Sequence, residues 1–165
     1  MTYFFPEKYK KVSKKKRFGI CDTPPPPAQR AYIDEANGQN WIAVVDNFYQ
    51  DTITFIPIDH CIETIRPDGL MDNCCDGLLY YDTTIIFVEL KQRSGSKWIK
   101  EGDNQLRATI RHFECTPQAM DFETKKAYIS NSSKPLFRFF QAERMDRFLS
   151  DTGYTLRIEN RIHID

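Results

Sequence analysis

The sequence predicts a single α/β domain, and three observations carry that reading. The second half alternates short β-branched and aromatic runs with two amphipathic stretches of helical period, in the order β-β-α-β-α-β. One run, IIFVELK at residues 85 to 91, is apolar on both faces, the pattern of a strand buried in the middle of a sheet. The 165 residues, 41% hydrophobic and 13% aromatic, suffice for one core but are too few for two ordinary domains.

Taken in order, residues 1 to 27 read as a flexible basic arm followed by a polyproline spacer. Lys8, Lys10, Lys11, Lys14, Lys15, Lys16 and Arg17 fall within ten residues that hold no acid, so a chain of zero net charge divides into a basic arm and a body of −7. Pro24 to Pro27 form a polyproline stretch that neither continues a helix nor joins a central strand, which places the domain at residues 28 to 165. Residues 28 to 37 fit a helix or an irregular turn stopped by Asn37-Gly38. WIAVVD at 41 to 46 and TITFIPI at 52 to 58 read as extra N-terminal strands. Residues 59 to 65 fit no single pattern, and Arg66-Pro67-Asp68-Gly69 is a turn.

CDGLLYY at 75 to 81 and the apolar run at 85 to 91 flank Asp82-Thr83-Thr84 as a β-hairpin. Beyond a Ser94-Gly95-Ser96 loop, Ile99, Leu106, Ile110 and Phe113 mark one face of a helix from about Trp98 to Phe113. KKAYISN at 125 to 131 is a strand, and residues 136 to 150 are a second helix, capped by Gly153. Leu156, Ile158, Ile162 and Ile164 alternate along one closing strand at 155 to 164.

Several classes are disfavoured by composition. No stretch approaches the roughly 18 consecutive apolar residues of a membrane span, and the N-terminus lacks a secretory signal pattern. Five cysteines, with Cys74 and Cys75 adjacent, give an odd count without a disulfide framework and suit a reducing, cytoplasmic setting. A zinc site would have to draw on the scattered His60, Cys61, Cys74 and Cys75.

The chemistry concentrates on Glu89 and Lys91, which interrupt the doubly apolar strand two residues apart and therefore share a face. Buried charges of this kind need a partner, a metal or a pocket open to water. Asp76 can supply a second carboxylate. A two-residue loop at Asp82-Thr83 sets Asp76 opposite Glu89, whereas a loop at Thr83-Thr84 sets it opposite Lys91 and diagonal to Glu89. Either register gathers all three on one face; a three-residue loop without a bulge does not. Oxygen ligands from Asp76, Glu89 and the Leu90 carbonyl suit magnesium or manganese, with Lys91 placed to orient water or stabilise developing charge. Phosphodiester hydrolysis is the chemistry that this set fits best.

Asp76 followed thirteen residues later by Glu89-Leu90-Lys91, within CDGLLYYDTTIIFVELK, resembles the core motif of the PD-(D/E)XK phosphodiesterase superfamily, the fold of many restriction endonucleases and repair nucleases. The resemblance covers roughly residues 60 to 131. It implies a restriction-endonuclease-like core: a central mixed sheet of about four strands flanked by helices, in the order α-β-β-β-α-β. It further implies that Asp76 and Glu89 bind metal, that Lys91 is catalytic, and that Gln105, on the following helix, matches the glutamine of many members. Some members add a glutamate on a helix before the hairpin, where Glu63 is the nearest candidate and Glu35 the next. Cys75 stands where the motif's name has proline, and Thr109 where some subgroups carry an aromatic residue.

The expected function is divalent-metal-dependent hydrolysis of nucleic acid, DNA ahead of RNA, with Lys14, Lys15, Lys16 and Arg17 neutralising phosphates. The alternative is a module of nuclease fold without the chemistry, binding nucleic acid or a partner protein. Restriction-type enzymes commonly act as homodimers, although no residue pattern here marks a dimer surface. The plainer alternatives are Asp-Gly turn chemistry at Asp76 and a solvated ion pair for Glu89 and Lys91.

Overall fold

A computed structural model describes residues 2–92, 95, 97–133 and 141–165. The protein is α/β, with mixed sheets of six and four strands and two α-helices among the described residues. The strands are β1 (Lys11–Ser13), β2 (Arg17–Cys21), β3 (Tyr32–Asp34), β4 (Ala43–Asp46), β5 (Ile53–Pro57), β6 (Gly77–Tyr81), β7 (Thr84–Lys91), β8 (Thr124–Asn131), β9 (Thr155–Ile158) and β10 (Arg161–His163). The helices are α1 (Lys97–Glu114) and α2 (Ala142–Thr152). The larger sheet runs β1-β5-β6-β7-β8-β9 and the smaller β10-β4-β2-β3.

Strand β7 explains the layering. Ile85 and Phe87 enter a core formed with Trp98, Leu106, Ile110 and Phe113 of α1 and Phe148 of α2. Ile86, Val88 and Leu90 enter a second core with Phe18, Val45 and Ile162 of the smaller sheet. Period-2 alternation thus feeds two cores, and the larger sheet lies between a helical layer and the smaller sheet. The β6–β7 hairpin closes through Asp82-Thr83, pairing Tyr81 with Thr84 and Gly77 with Val88. Asp82 takes φ 47°, a turn conformation that aspartate tolerates better than most residues. Parallel β7 and β8 are connected through α1, the crossover that parallel pairing requires.

The expected arm is part of the domain. β1 pairs with β5, β2 pairs with β3 and β4, and Phe4, Phe5 and Phe18 are buried. Phenylalanines on either side of the charge run draw it into the structure, while Lys14, Lys15, Lys16 and Arg17 stay exposed between β1 and β2. Lysine on the edge strand β1 also discourages edge-to-edge pairing with other chains. The prolines are an exposed link between the paired strands β2 and β3, not a spacer between domains.

Three further differences concern element boundaries. Residues 28 to 37 hold β3 and a turn in which the Asp34 carboxylate accepts the N–H groups of Ala36 and Asn37 and the Trp41 indole, so no helix forms. The closing strand is two: β9 lies parallel to β8, and β10 lies parallel to β4 in the other sheet. The switch falls at Glu159 and Asn160, whose carbonyls accept from Ser130 Oγ and the Val44 N–H. Residues 59 to 65 hold turns and a single bridge from Ile65 to Met71, so no α-helix precedes the hairpin among the described residues. The expected helical residues 136 to 140, and Ser94 and Ser96 of the expected loop, lie outside the described residues. Gly153 caps α2 with φ 81° and donates its N–H to the Leu149 carbonyl.

Two predictions follow from these contacts. A Cβ at Gly77 would sit 2.5 Å from the buried Phe55 ring and 3.1 Å from the Ile56 carbonyl oxygen. Gly77→Ala is therefore expected to cost about 1–3 kcal/mol in denaturant unfolding, and an unchanged midpoint would show that the ring yields freely. Asp46 of β4 accepts from Arg17 of β2 and Arg161 of β10 at 3.0 and 2.8 Å. Burial alone would raise its pKa, but these two arginines outweigh it and hold the carboxyl below its ordinary value. Its contribution to stability is therefore present above the usual aspartate range of about 4 and is lost as pH falls below it. Asp46→Asn should flatten the acid limb of a stability–pH curve.

Candidate functional site

The β6–β7 register, continued one residue past Gly77 and Val88, puts Asp76 opposite Glu89. The Asp76 N–H donates to Glu89 Oε1 at 3.1 Å, and the Leu90 N–H donates to Asp76 Oδ2 at 2.7 Å. Lys91 Nζ lies 3.1 Å from Glu89 Oε2 and donates to Gln105 Oε1 of α1 at 2.9 Å. Gln105 Nε2 in turn donates to the Cys74 carbonyl at 3.4 Å, tying α1 to the segment that leads into β6. Asp76, Glu89 and Lys91 therefore meet as the hairpin spacing predicts, and Gln105, singled out only by the resemblance, joins them.

The helix fixes the approach to the site through a second link. Thr109 Oγ1 accepts the Cys75 N–H at 2.8 Å and donates to the Gln105 carbonyl at 2.9 Å. Thr109, at the position where some subgroups of the resembled superfamily carry an aromatic residue, holds the backbone immediately before Asp76. Cys75 is fully buried, and burial pushes its thiol pKa up, so it serves as packing and not as a nucleophile.

Glu89 is 2% exposed, and its carboxyl is driven well above the usual range, first by burial and then by the charge of Asp76, with Lys91 opposing. Asp76 is pushed up to about 6 by burial, with Asp22 and Asp59 adding repulsion and the Leu90 N–H opposing. Each carboxylate disfavours the charge of the other, so the pair gives up its protons in linked steps. Added positive charge would allow both to ionise. Among the described residues, no three His, Cys, Asp or Glu side chains gather in a group able to hold a metal ion. The oxygen set is thus Asp76, Glu89 and the Leu90 carbonyl, which points to the same side of β7 as the Leu90 N–H that reaches Asp76. A hard cation that retains several water ligands fits such a set.

Other expected residues lie elsewhere. Glu63 is exposed in a loop and lines a separate cavity of about 720 Å3 with Tyr3, Lys8 and His112. No helix forms around it to carry it to the carboxyl pair. Glu35 accepts the Ser13 hydroxyl at 2.7 Å. Lys14, Lys15 and Lys16 follow Ser13, which pairs with Ile53 at the start of β5, whereas the Asp76 carbonyl accepts the Ile58 N–H just beyond its end. They therefore lie at the opposite end of the sheet, about 17 Å along β5. Arg17 is engaged by Asp46. His60, Cys61, Cys74 and Cys75 do not form a zinc-binding group among the described residues; Cys74 Sγ instead donates to Asp59 Oδ1 at 3.6 Å.

Two residues at this end went unnoticed in the sequence. Asp22 directly follows β2 and Asp59 follows β5, and both charges reach Asp76. The signal was an aspartate just past each apolar run, obscured at Asp22 by the assignment of that segment to an arm. Lys91 and Gln105 open onto a cleft of about 300 Å3 that Asn73, Glu101 and Asn104 complete. No helix among the described residues is long and apolar enough to cross a membrane. No family model, curated protein or solved structure matches the chain.

Replacing Thr109 tests the link between helix and site. Thr109→Val strands the buried Cys75 N–H and should cost about 1–3 kcal/mol in denaturant unfolding, while Thr109→Ser retains the acceptor and most of the stability. Equal stability of the two variants would remove the hydroxyl's role.

Proposed function

We propose that the protein is a divalent-metal-dependent phosphodiesterase of PD-(D/E)XK type acting on nucleic acid, DNA in preference to RNA. One observation carries the proposal: the buried carboxyl of Glu89 on β7 and the half-buried carboxyl of Asp76, just before β6, share the mouth of a hairpin with the ammonium of Lys91, which lies 3.1 Å from Glu89. The succession β5, β6, β7, α1, β8 supports it, since it follows the strand-strand-strand-helix-strand order that the resemblance implies. The helix that the same order puts first is missing among the described residues.

Asp76, Glu89 and the Leu90 carbonyl would hold magnesium or manganese, which polarises a phosphoryl oxygen and acidifies a bound water. Lys91 carries three N–H donors, of which Glu89 and Gln105 take two. The third faces Glu101 Oε2 at 3.9 Å, beyond hydrogen-bond range, and is the one offered to the attacking water or to a non-bridging phosphate oxygen, where charge develops in the transition state. Gln105 is a positioning residue: it holds Lys91 in one rotamer and is itself held by the Cys74 carbonyl. The buried apolar residues behind Glu89 keep these interactions in a low-dielectric setting.

Cleavage of plasmid and labelled oligonucleotides with magnesium or manganese is the test. Asp76→Ala and Lys91→Ala are each expected to lower the rate by about 100-fold or more, and Gln105→Ala by about tenfold. Calorimetric manganese binding should vanish in Glu89→Ala. Undiminished cleavage by the Asp76 and Lys91 variants, or no cleavage of any nucleic acid with either ion, overturns the proposal.

A further inference from the structure

At the far end of the larger sheet, two loops are joined into one platform. The Asn47 N–H donates to the Lys16 carbonyl at 2.8 Å, and Gln50 Nε2 donates to the Lys14 carbonyl at 3.4 Å. Asn47 is fully buried, and its side chain both donates to the Asp51 carbonyl and accepts the Asp51 N–H, at 2.9 and 3.1 Å. Between these anchors, Phe48 and Tyr49 are 71% and 73% exposed, with rings 5.3 Å apart and perpendicular. Single exposed aromatics are ordinary, but an adjacent pair on a braced loop keeps its rings in water at a cost.

A run of cationic residues adjoins the rings. Lys14, Lys15 and Lys16 are exposed, and Lys16 Nζ stands 5.9 Å from the centre of the Phe48 ring. Of the nearby carboxylates, Asp46 is covered by Arg17 and Arg161, and Glu35 accepts from Ser13. A neutral hydroxyl cancels no charge, so Glu35 and Asp51 stand against the three lysines. We propose that this platform binds single-stranded DNA, with bases stacking on Phe48 and Tyr49 and phosphates contacting Lys14, Lys15 and Lys16.

The alternatives fit less well. A duplex keeps its base faces stacked and unavailable to the rings. A bilayer would take the rings but would also draw Gln50 and Asp51 into the interface. Asn47 is buried with its amide committed to Asp51, so it is not spare to read a ribose 2′-hydroxyl. The platform is about 17 Å along β5 from Asp76 and does not depend on hydrolysis.

Fluorescence anisotropy of the full chain in EDTA, where metal-dependent cleavage is silent, tests the proposal. The probes are labelled oligo-dT and oligo-U, a DNA duplex of equal length, and phosphatidylserine vesicles. Oligo-dT should bind at least as tightly as oligo-U and more tightly than the duplex or the vesicles. Log affinity should fall with log salt with a slope of about −2, as three lysine–phosphate contacts on a single strand predict. Phe48→Ala and Tyr49→Ala should each weaken binding about tenfold. The double change Phe48→Leu with Tyr49→Leu should weaken it comparably, because leucine keeps apolar area but not a stacking face. Stronger binding of duplex, oligo-U or vesicles, full affinity in the leucine variant, or no binding of oligo-dT would overturn the proposal, and circular dichroism of each variant excludes misfolding.

Discussion

Setting two carboxyl groups side by side, Glu89 buried and Asp76 half-buried, is the constraint on which the rest of the structure depends. Asp76 and Glu89 repel whenever both are ionised, and burial strengthens that repulsion. The hairpin supplies its own compensation: the Asp76 N–H goes to Glu89, the Leu90 N–H goes to Asp76, and Lys91 turns back onto Glu89. A one-residue slip in register would send this set to opposite faces, leaving charge against the second core. The loop at Asp82-Thr83, at the far end of the hairpin, is therefore as much a part of the site as the charged groups themselves.

The surrounding layers make this compensation rigid. Lys91 would be a flexible side chain on an exposed strand, but here α1 meets it with Gln105 and reaches back through Thr109 to the residue before Asp76. The helix is present because β7 and β8 are parallel, which obliges the chain to cross over one face of the sheet. It is held there by Trp98, Leu106, Ile110 and Phe113 against Phe87, and by buried Asp103, which accepts from Arg144 of α2 at 2.6 Å. Packing, topology and charge compensation thus act on the same few residues at the end of β7.

What the sequence revealed was what is locally encoded. The hairpin, the doubly buried β7, α1 and the Gly153 cap follow from side-chain period and turn chemistry, so Asp76, Glu89 and Lys91 could be brought together on paper, while Gln105 came only from the resemblance. The docking of residues 2 to 21 into the domain is not locally encoded. A dense charge run reads as solvated chain, although the apolar residues that insert it, Phe4, Phe5 and Phe18, lie on either side of it. The split between β9 and β10 was equally hidden, since Leu156, Ile158, Ile162 and Ile164 keep the same alternation while the chain changes sheets. Asp22 and Asp59, far apart in sequence, become neighbours of Asp76 only once β2 and β5 are both in place.

The neutral net charge is in fact a separation of chemistries between the two ends of β5. Carboxylates from Asp22, Asp59, Asp76 and Glu89 gather at one end, and lysines with exposed rings at the other. A polyanion is repelled at the first end until cations offset the carboxylates, and is attracted at the second whatever ions are present. On the two readings proposed here, capture and cleavage would therefore respond to different solution variables. Monovalent salt screens the lysine contacts, whereas occupancy of the carboxyl pair governs access of phosphate to Lys91. The distance of about 17 Å between them corresponds to only a few nucleotides of extended chain, so one strand could engage both ends without rearrangement of the sheet.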